Sequence, residues 1–183
     1  EIHGYAIRNG FESNATVQNA LIDLYAKCGS SENACHMFHT MTEKTVVSWN
    51  TVIAGYAQSG HYEESLDLFQ QMHLADTKPN NVTIVTVLPV ISHLLNLHQG
   101  KEIHVFILRS GFDLFIIVMN ALVDMYCKCG NIRIARRVFD QMPKRDVFSW
   151  TAMIAGYGMQ GKGEDAVALF SQMQVSGMQP DDV

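Results

Sequence analysis

The chain has no long hydrophobic run. Its longest apolar stretches, such as Phe115–Met119, are far too short to span a bilayer, so no membrane segment is expected. No signal or transit peptide is visible and Glu1 already lies in an amphipathic pattern, so the sequence is expected to be a fragment of a longer protein. Positive charge is scarce too: 13 Lys and Arg stand against 18 Asp and Glu, for a net charge of −5. That argues against a broad basic footprint on phosphates, though not against a local basic stripe inside a groove. Only four cysteines occur, Cys28, Cys35, Cys127 and Cys129. Cys127 and Cys129 enclose a single residue, whereas zinc knuckles space their ligands by two to four. Free, buried thiols in a reducing compartment are therefore expected. Low-complexity tracts are missing, and 48% of residues are hydrophobic, so disorder is not expected. Sustained period-two alternation is missing as well, which argues against strands.

What the sequence does contain is itself, twice. NALIDLYAKCG (Asn19–Gly29) returns as NALVDMYCKCG (Asn120–Gly130), an offset of 101 residues. The same offset relates Trp49 to Trp150, Gly55 to Gly156, Phe69 to Phe170 and Pro79 to Pro180. Of the 82 positions that overlap at this offset, 33 are identical, which marks a repeat architecture.

Within the long period, short helical patterns alternate with Gly-centred turns. Trp49, Ile53 and Tyr56 fall on one face of a helix read over Trp49–Gln58, with Ala54 and Gly55 small enough for a neighbouring helix to approach. Ser59-Gly60 ends it through a left-handed cap, and Tyr62–Leu74 forms its partner. The same grammar pairs Asn19–Lys27 with Glu32–Met41 and Val82–Leu95 with Leu97–Arg109. It also pairs Asn120–Lys128 with Ile132–Met142, and Trp150–Met159 with Glu164–Val175. Glu1–Asn9 is a second helix without its first. Unit boundaries follow at 15–45, 46–80, 81–115, 116–146 and 147–181, preceded by part of a unit (1–14) and followed by the start of another (182–183). One hairpin cannot bury both its faces. The expected fold is all-α, a superhelical solenoid of stacked hairpins with one concave side.

These units resemble plant pentatricopeptide repeat (PPR) proteins of the subclass that alternates P-, L- and S-type motifs. VVSWNTVIAGYAQSGHYEESLDLFQQM (Val46–Met72) is similar to a P-type motif, NALIDLYAKCG and VFDQMPKRD (Val138–Asp146) to S-type motifs, and GKEIHVFILRSGF (Gly100–Phe112) to an L-type second helix. The units are then typed S (15–45), P (46–80), L (81–115), S (116–146) and P (147–181). A tetratricopeptide solenoid, with its uniform period of about 34, fits this alternation poorly.

The resemblance implies sequence-specific binding of single-stranded organellar RNA, one base per repeat, read by the fifth and last residues of each motif. Carried over, the reader pairs are Asn19 with Thr45, Asn50 with Asn80, Val85 with Phe115, Asn120 with Asp146, and Thr151 with Asp181. Asn, Thr and Asp are short polar groups suited to a base edge, and the amide and carboxylate differ in what they donate and accept. Helix capping is the bland alternative for the same residues. Val85 and Phe115 cannot hydrogen-bond a base, so that repeat is expected to space, stack or meet a protein. The resemblance further assigns Thr16, Val47, Val82, Ile117 and Phe148 to base faces, and Lys27 and Lys128 to phosphates.

The family code implies the target 5′-pyrimidine, C or U, any base, U, G-3′. It also implies C-to-U RNA editing in a mitochondrion or chloroplast, with a DYW deaminase domain in cis or trans or a MORF-type editing factor as partner. The alternative is a protein-binding scaffold that holds an editing cofactor through the L-type repeat.

Other signals fall away. Cys35, His36 and His39 correspond to Arg136, Arg137 and Asp140 in the second copy, which share no ligand chemistry. His61-Tyr62-Glu63 matches the H-x-E of zinc deaminases without the P-C-x-x-C that must follow. The sequons at Asn14 and Asn81 lie at motif junctions, and Gly161-Lys162-Gly163 lacks the rest of a phosphate loop. No nucleophile–base set emerges, so neither an enzyme nor a metal or cofactor is expected.

Overall fold

A computed structural model describes residues 2–11 and 13–179. Among them are eleven α-helices, one 3-10 turn and no strand. Several helices begin where a side chain satisfies the free amides of a first turn. Asn14 accepts from the Thr16 and Val17 amides to start α2 (Ala15–Lys27), which follows a short α1 (Ile2–Arg8). Thr45 and Asp146 open α4 (Val46–Gln58) and α10 (Val147–Met159) through reciprocal capping boxes with Ser48 and Ser149. The remaining helices are α3 (Ser31–Thr40), α5 (Tyr62–Leu74), α6 (Asn81–His93), α7 (Leu97–Arg109), α8 (Ile116–Lys128), α9 (Ile132–Gln141) and α11 (Gly163–Val175). The turn Phe112–Leu114 precedes α8.

Hydrophobic periodicity placed the starts of α2, α4, α8 and α10 at Asn19, Trp49, Asn120 and Trp150, and the structure starts each three or four residues earlier. The early turn is invisible to periodicity because it carries exposed residues, among them Thr16, Val47, Ile117 and Phe148, and in α2, α4 and α10 it is capped by a polar side chain. Conversely, α6 stops at His93 and not at Leu95, which adopts a left-handed φ of 52°. At the end of α4, Ser59 is the cap and Gly60 takes φ 78°, a conformation open to glycine at little cost. The helices α2, α4, α6, α8 and α10 all have 13 residues, whereas α3 and α9 have 10 against 13 in α5, α7 and α11. Length variation along the chain thus resides mainly in the second helix of a hairpin, with one residue in the connector that follows it.

The chain falls into two compact units, residues 1–90 and 91–183. In the first, α2 packs on α3 and α4, α3 on α4, and α4 on α5. Its core includes Ile22, Val52, Ile53 and Met72, all fully buried, each contributing about 1.5–3 kcal/mol by leaving water. In the second, α8 packs on α9 and α10, and α10 on α11, around Leu122, Val123, Met125 and Met153. Each unit carries the same edge-to-face aromatic pair, Phe38 on Trp49 at 4.6 Å and Phe139 on Trp150 at 5.0 Å.

The approach of successive first helices depends on glycine. A Cβ on Gly55 would lie 2.6 Å from the Ala26 Cβ, and one on Gly156 would overlap the Cys127 sulfur. Cys127 is accordingly buried, and its thiol is pushed up to about 12 by burial. The expectation of buried thiols fails for Cys28, which is exposed. Cys28 and Cys129 occupy helix C-caps, and the packing position lies two residues earlier, at Ala26 and Cys127. No helix among the described residues is long and apolar enough to cross a membrane.

Candidate functional site

Two of the five expected reader pairs are brought into direct contact. Asn120 lies one turn into α8 and Asp146 caps α10, and the Asn120 Nδ2 donates to Asp146 Oδ1 at 2.9 Å. A residue missed in the sequence closes the contact into a ring. The Ser149 hydroxyl donates to Asn120 Oδ1 at 2.6 Å and accepts from the Asp146 amide at 3.1 Å, while the Ser149 amide donates to Asp146 Oδ1 at 2.8 Å. Ser149 is completely buried.

The second ring has the same plan with different chemistry. Asn50 Nδ2 donates to Asn80 Oδ1 at 3.2 Å, and the Thr83 hydroxyl donates to Asn50 Oδ1 at 2.6 Å. The Asn80 amide donates to the Thr83 hydroxyl at 3.1 Å, and the Thr83 amide to Asn80 Oδ1 at 3.0 Å. A backbone amide can only donate, so the atom facing it must be the oxygen of Asn80, and the Asn80 NH2 is left outside the ring. In the first ring the atom outside is Asp146 Oδ2. One ring therefore offers an acceptor where the other offers a donor.

Burial raises the Asp146 carboxyl, but hydrogen bonds from the Ser149 amide, Asn120 and the Ser149 hydroxyl outweigh it and hold the group below the ordinary carboxylate range. The acceptor is thus ionised at neutral pH. Around the other ring, an open groove of about 380 Å³ is lined by Asn50, Asn80, Val47, Val82, Thr51 and Thr86, with Asp23 at its edge. The two apolar side chains Val47 and Val82 share this groove with the polar pair. Like Ile117 and Phe148, they are more than half exposed, and Thr16 is exposed as well.

Neither Asn19 with Thr45 nor Val85 with Phe115 is joined in this way. Thr45 spends its hydroxyl on the Ser48 amide and hydroxyl, and Asn19 Oδ1 is buried without a hydrogen-bond partner. A threonine oxygen sits one carbon nearer the backbone than an asparagine or aspartate oxygen, so Thr45 caps α4 but does not reach Asn19. Val85 is half-buried and Phe115 is 44% exposed, and Phe115 begins α8 without any side-chain cap. Thr151 is exposed, and its expected partner Asp181 lies outside the described residues. Lys27 and Lys128 each pair with a carboxylate one turn earlier, Asp23 at 2.7 Å and Asp124 at 2.8 Å. Such exposed pairs are weak, about 0.3–0.5 kcal/mol, and phosphate could compete for the lysine.

The repeated signal for the missed hydroxyls was present in the sequence: Ser48, Thr83 and Ser149 all stand third in their units. A second overlooked pair is His3 with Tyr25 and its counterpart His104 with Tyr126, hydrogen-bonded at 2.6 and 2.9 Å. Burial lowers the His104 pKa. Cys35 and His39 contact one another along α3, and no group of three or more metal-ligand side chains occurs among the described residues. Neither sequon asparagine is idle, since Asn14 caps α2 and Asn81 Oδ1 accepts from the Val82 amide.

This hairpin plan matches known proteins. A model described as the PPR repeat family matches residues 44–93 and 145–183, and one described as the PPR repeat matches 19–46 and 117–147. The chain belongs to the pentatricopeptide repeat family. It is 45% identical to a pentatricopeptide repeat-containing protein of Arabidopsis thaliana over all of its length and 26% of that protein's. A chloroplastic relative from the same plant is 37% identical over 100% of the chain and 22% of its own length. A mitochondrial one is 40% identical over 95% and 28%. The chain thus spans about a quarter of the length of the curated relatives it matches.

Among solved structures, the crystal structure of PPR10 in complex with an 18-nt psaJ RNA element superposes with a TM-score of 0.74 at 16% identity, covering 97% of this chain and 28% of that one. PPR10 from maize superposes with a TM-score of 0.60 at 21% identity, over 89% and 30%. The likeness gives the fold, a PPR solenoid of helical hairpins, and the stretches matched by the family models are its repeats.

Proposed function

We propose that this chain is a base-reading segment of an RNA-binding protein, with each hairpin junction addressing one nucleotide of a single strand. The observation that carries the reading is the pair of matched rings whose free atoms differ in sign. Uracil presents an N3–H donor and cytosine an unprotonated N3 acceptor. Asp146 Oδ2 beside Asn120 suits uracil, and the Asn80 NH2 beside Asn50 suits cytosine. The exposed apolar residues one turn before each reader, Val47 and Val82 in one unit and Ile117 and Phe148 in the other, suit stacking on base faces without favouring one base. The binding of RNA by PPR10 supports the reading by family likeness.

The finer identity is proposed with it: alternating P-, L- and S-type motifs, one base per repeat, and the target 5′-pyrimidine, C or U, any base, U, G-3′. The setting is C-to-U editing in a chloroplast or mitochondrion, consistent with relatives named for each organelle, with a DYW deaminase domain or a MORF-type factor as partner. A second reading, a protein-docking scaffold, has one observation in its favour: Leu114, Phe115, Ile116 and Ile117 form an exposed apolar run beside the pair that cannot read a base. Electrophoretic shift at fixed salt separates the readings. The 5-mer in neutral flanks binds in preference to one carrying U→A and G→C, and N120A with D146A removes the part of that preference that comes from U→A. Equal binding of both strands refutes the base-reading assignment.

A further inference from the structure

We propose that the hydroxyl standing third in a repeat is a positioning residue for the reader pair of the repeat before it, so that a reading site is built by two successive repeats. The proposal rests on the base-reading assignment above. Thr83 belongs to the repeat after Asn50 and Asn80, and Ser149 to the repeat after Asn120 and Asp146. Each reaches back to the fifth-position asparagine through a 2.6 Å bond, the shortest in its ring. That bond fixes which side of the asparagine amide is oxygen and holds its rotamer, leaving one N–H and one lone pair of the asparagine for a base edge.

Helix capping does not account for this bond. Thr45 and Ser48 form a complete capping box, yet Ser48 makes no bond to Asn19 and the Asn19 oxygen is left buried and alone. Capping and positioning are therefore separable in this chain. A closed ring needs three members: asparagine at the fifth position, an amide or carboxylate at the last, and a hydroxyl third in the next repeat. The apolar pair Val85 and Phe115 fits the rule from the other side, because the third residue that follows it is Val118, fully buried and without a hydroxyl. Polar readers are followed by a hydroxyl, and the apolar pair by a methyl.

The same rule separates the two S-type pairs. Asn120 with Asp146 is preorganised before RNA arrives, so the base meets groups already oriented. Asn19 with Thr45 has the asparagine and the hydroxyl but lacks the linking oxygen. T45D supplies it, and the first junction then acquires the ring seen at Asn120 and Asp146.

The test has one arm without RNA and one with it. In the 183-residue chain, the side-chain NH2 resonances of Asn120 are expected to be separated and slow to exchange. S149A should move them to the positions of a free asparagine, and S149T, which keeps the hydroxyl, should restore them. In the RNA arm, S149A should lose about fivefold in affinity for U at the corresponding nucleotide, the worth of one hydrogen bond, with binding at the other nucleotides unchanged. T45D should close a ring around Asn19 and raise the preference for U at its nucleotide, whereas T45D with S48A should not. Asn120 resonances that stay put in S149A overturn the positioning role whatever the RNA does. A parent chain that binds U and C alike overturns the base-reading assignment instead. Equal gain from T45D with or without S48A also refutes the rule.

Discussion

Asp146→Asn changes one atom of the site. The ring survives, because Oδ1 still accepts from the Ser149 amide and from Asn120, at 2.8 and 2.9 Å. The atom outside the ring changes from a charged acceptor to an NH2 donor, and the junction then copies the one formed by Asn50, Asn80 and Thr83. Asparagine caps a helix about as well as aspartate, so the cost in stability is the lost charge at the start of α10, about 0.3–1 kcal/mol. The base edge feels a larger effect. A hydrogen bond to a charged group contributes about 1.5–3 kcal/mol, and replacing acceptor by donor removes it for uracil while creating a neutral one for cytosine. The U-to-C preference at that nucleotide should therefore reverse, with the ratio of dissociation constants moving by roughly ten- to a hundredfold. Fluorescence anisotropy with two strands differing only in that base, at one salt concentration, measures it. A ratio that stays fixed while the variant remains folded refutes the idea that the outward atom of the last residue reads the base.

Packing and titration supply two further expectations. G156A places a methyl in the Cys127 sulfur and should cost about 1–3 kcal/mol in urea denaturation, whereas G158A, two residues on in the same helix with open space around it, should be neutral or slightly stabilising. Asp146 has a depressed folded pKa, so its ring contribution is present above the unfolded value of about 3.9 and is lost as pH falls through the lower folded value. The stability difference between the parent chain and D146A should thus hold from pH 7 to about pH 5 and shrink towards pH 2, and a difference constant across that range contradicts the ring.

The sequence by itself determined the register. The 101-residue offset, the recurrence of Trp49 as Trp150 and of Gly55 as Gly156, and the Gly-centred turns are enough to give an all-helical repeat, because buried framework residues recur wherever the same packing recurs. The candidate reader positions came from the resemblance to pentatricopeptide repeats, and polar residues vary at two of them inside a constant frame. What only the tertiary structure decided is which of those positions cooperate. Asn120 and Asp146 are 26 residues apart, and Thr83 and Asn50 are 33 apart, so their bonds exist only once successive hairpins are packed. Hydrophobic periodicity carries no information about such bonds, since the ring members lie at helix starts, off the apolar stripe. The failure of Thr45 to reach Asn19 was hidden for the same reason: it turns on the length of one side chain, and composition treats threonine and asparagine as equally polar. Short-range pattern reports what each helix buries, while a hydrogen-bonded site depends on distances between helices, and those are set by the close contacts at Gly55 and Gly156.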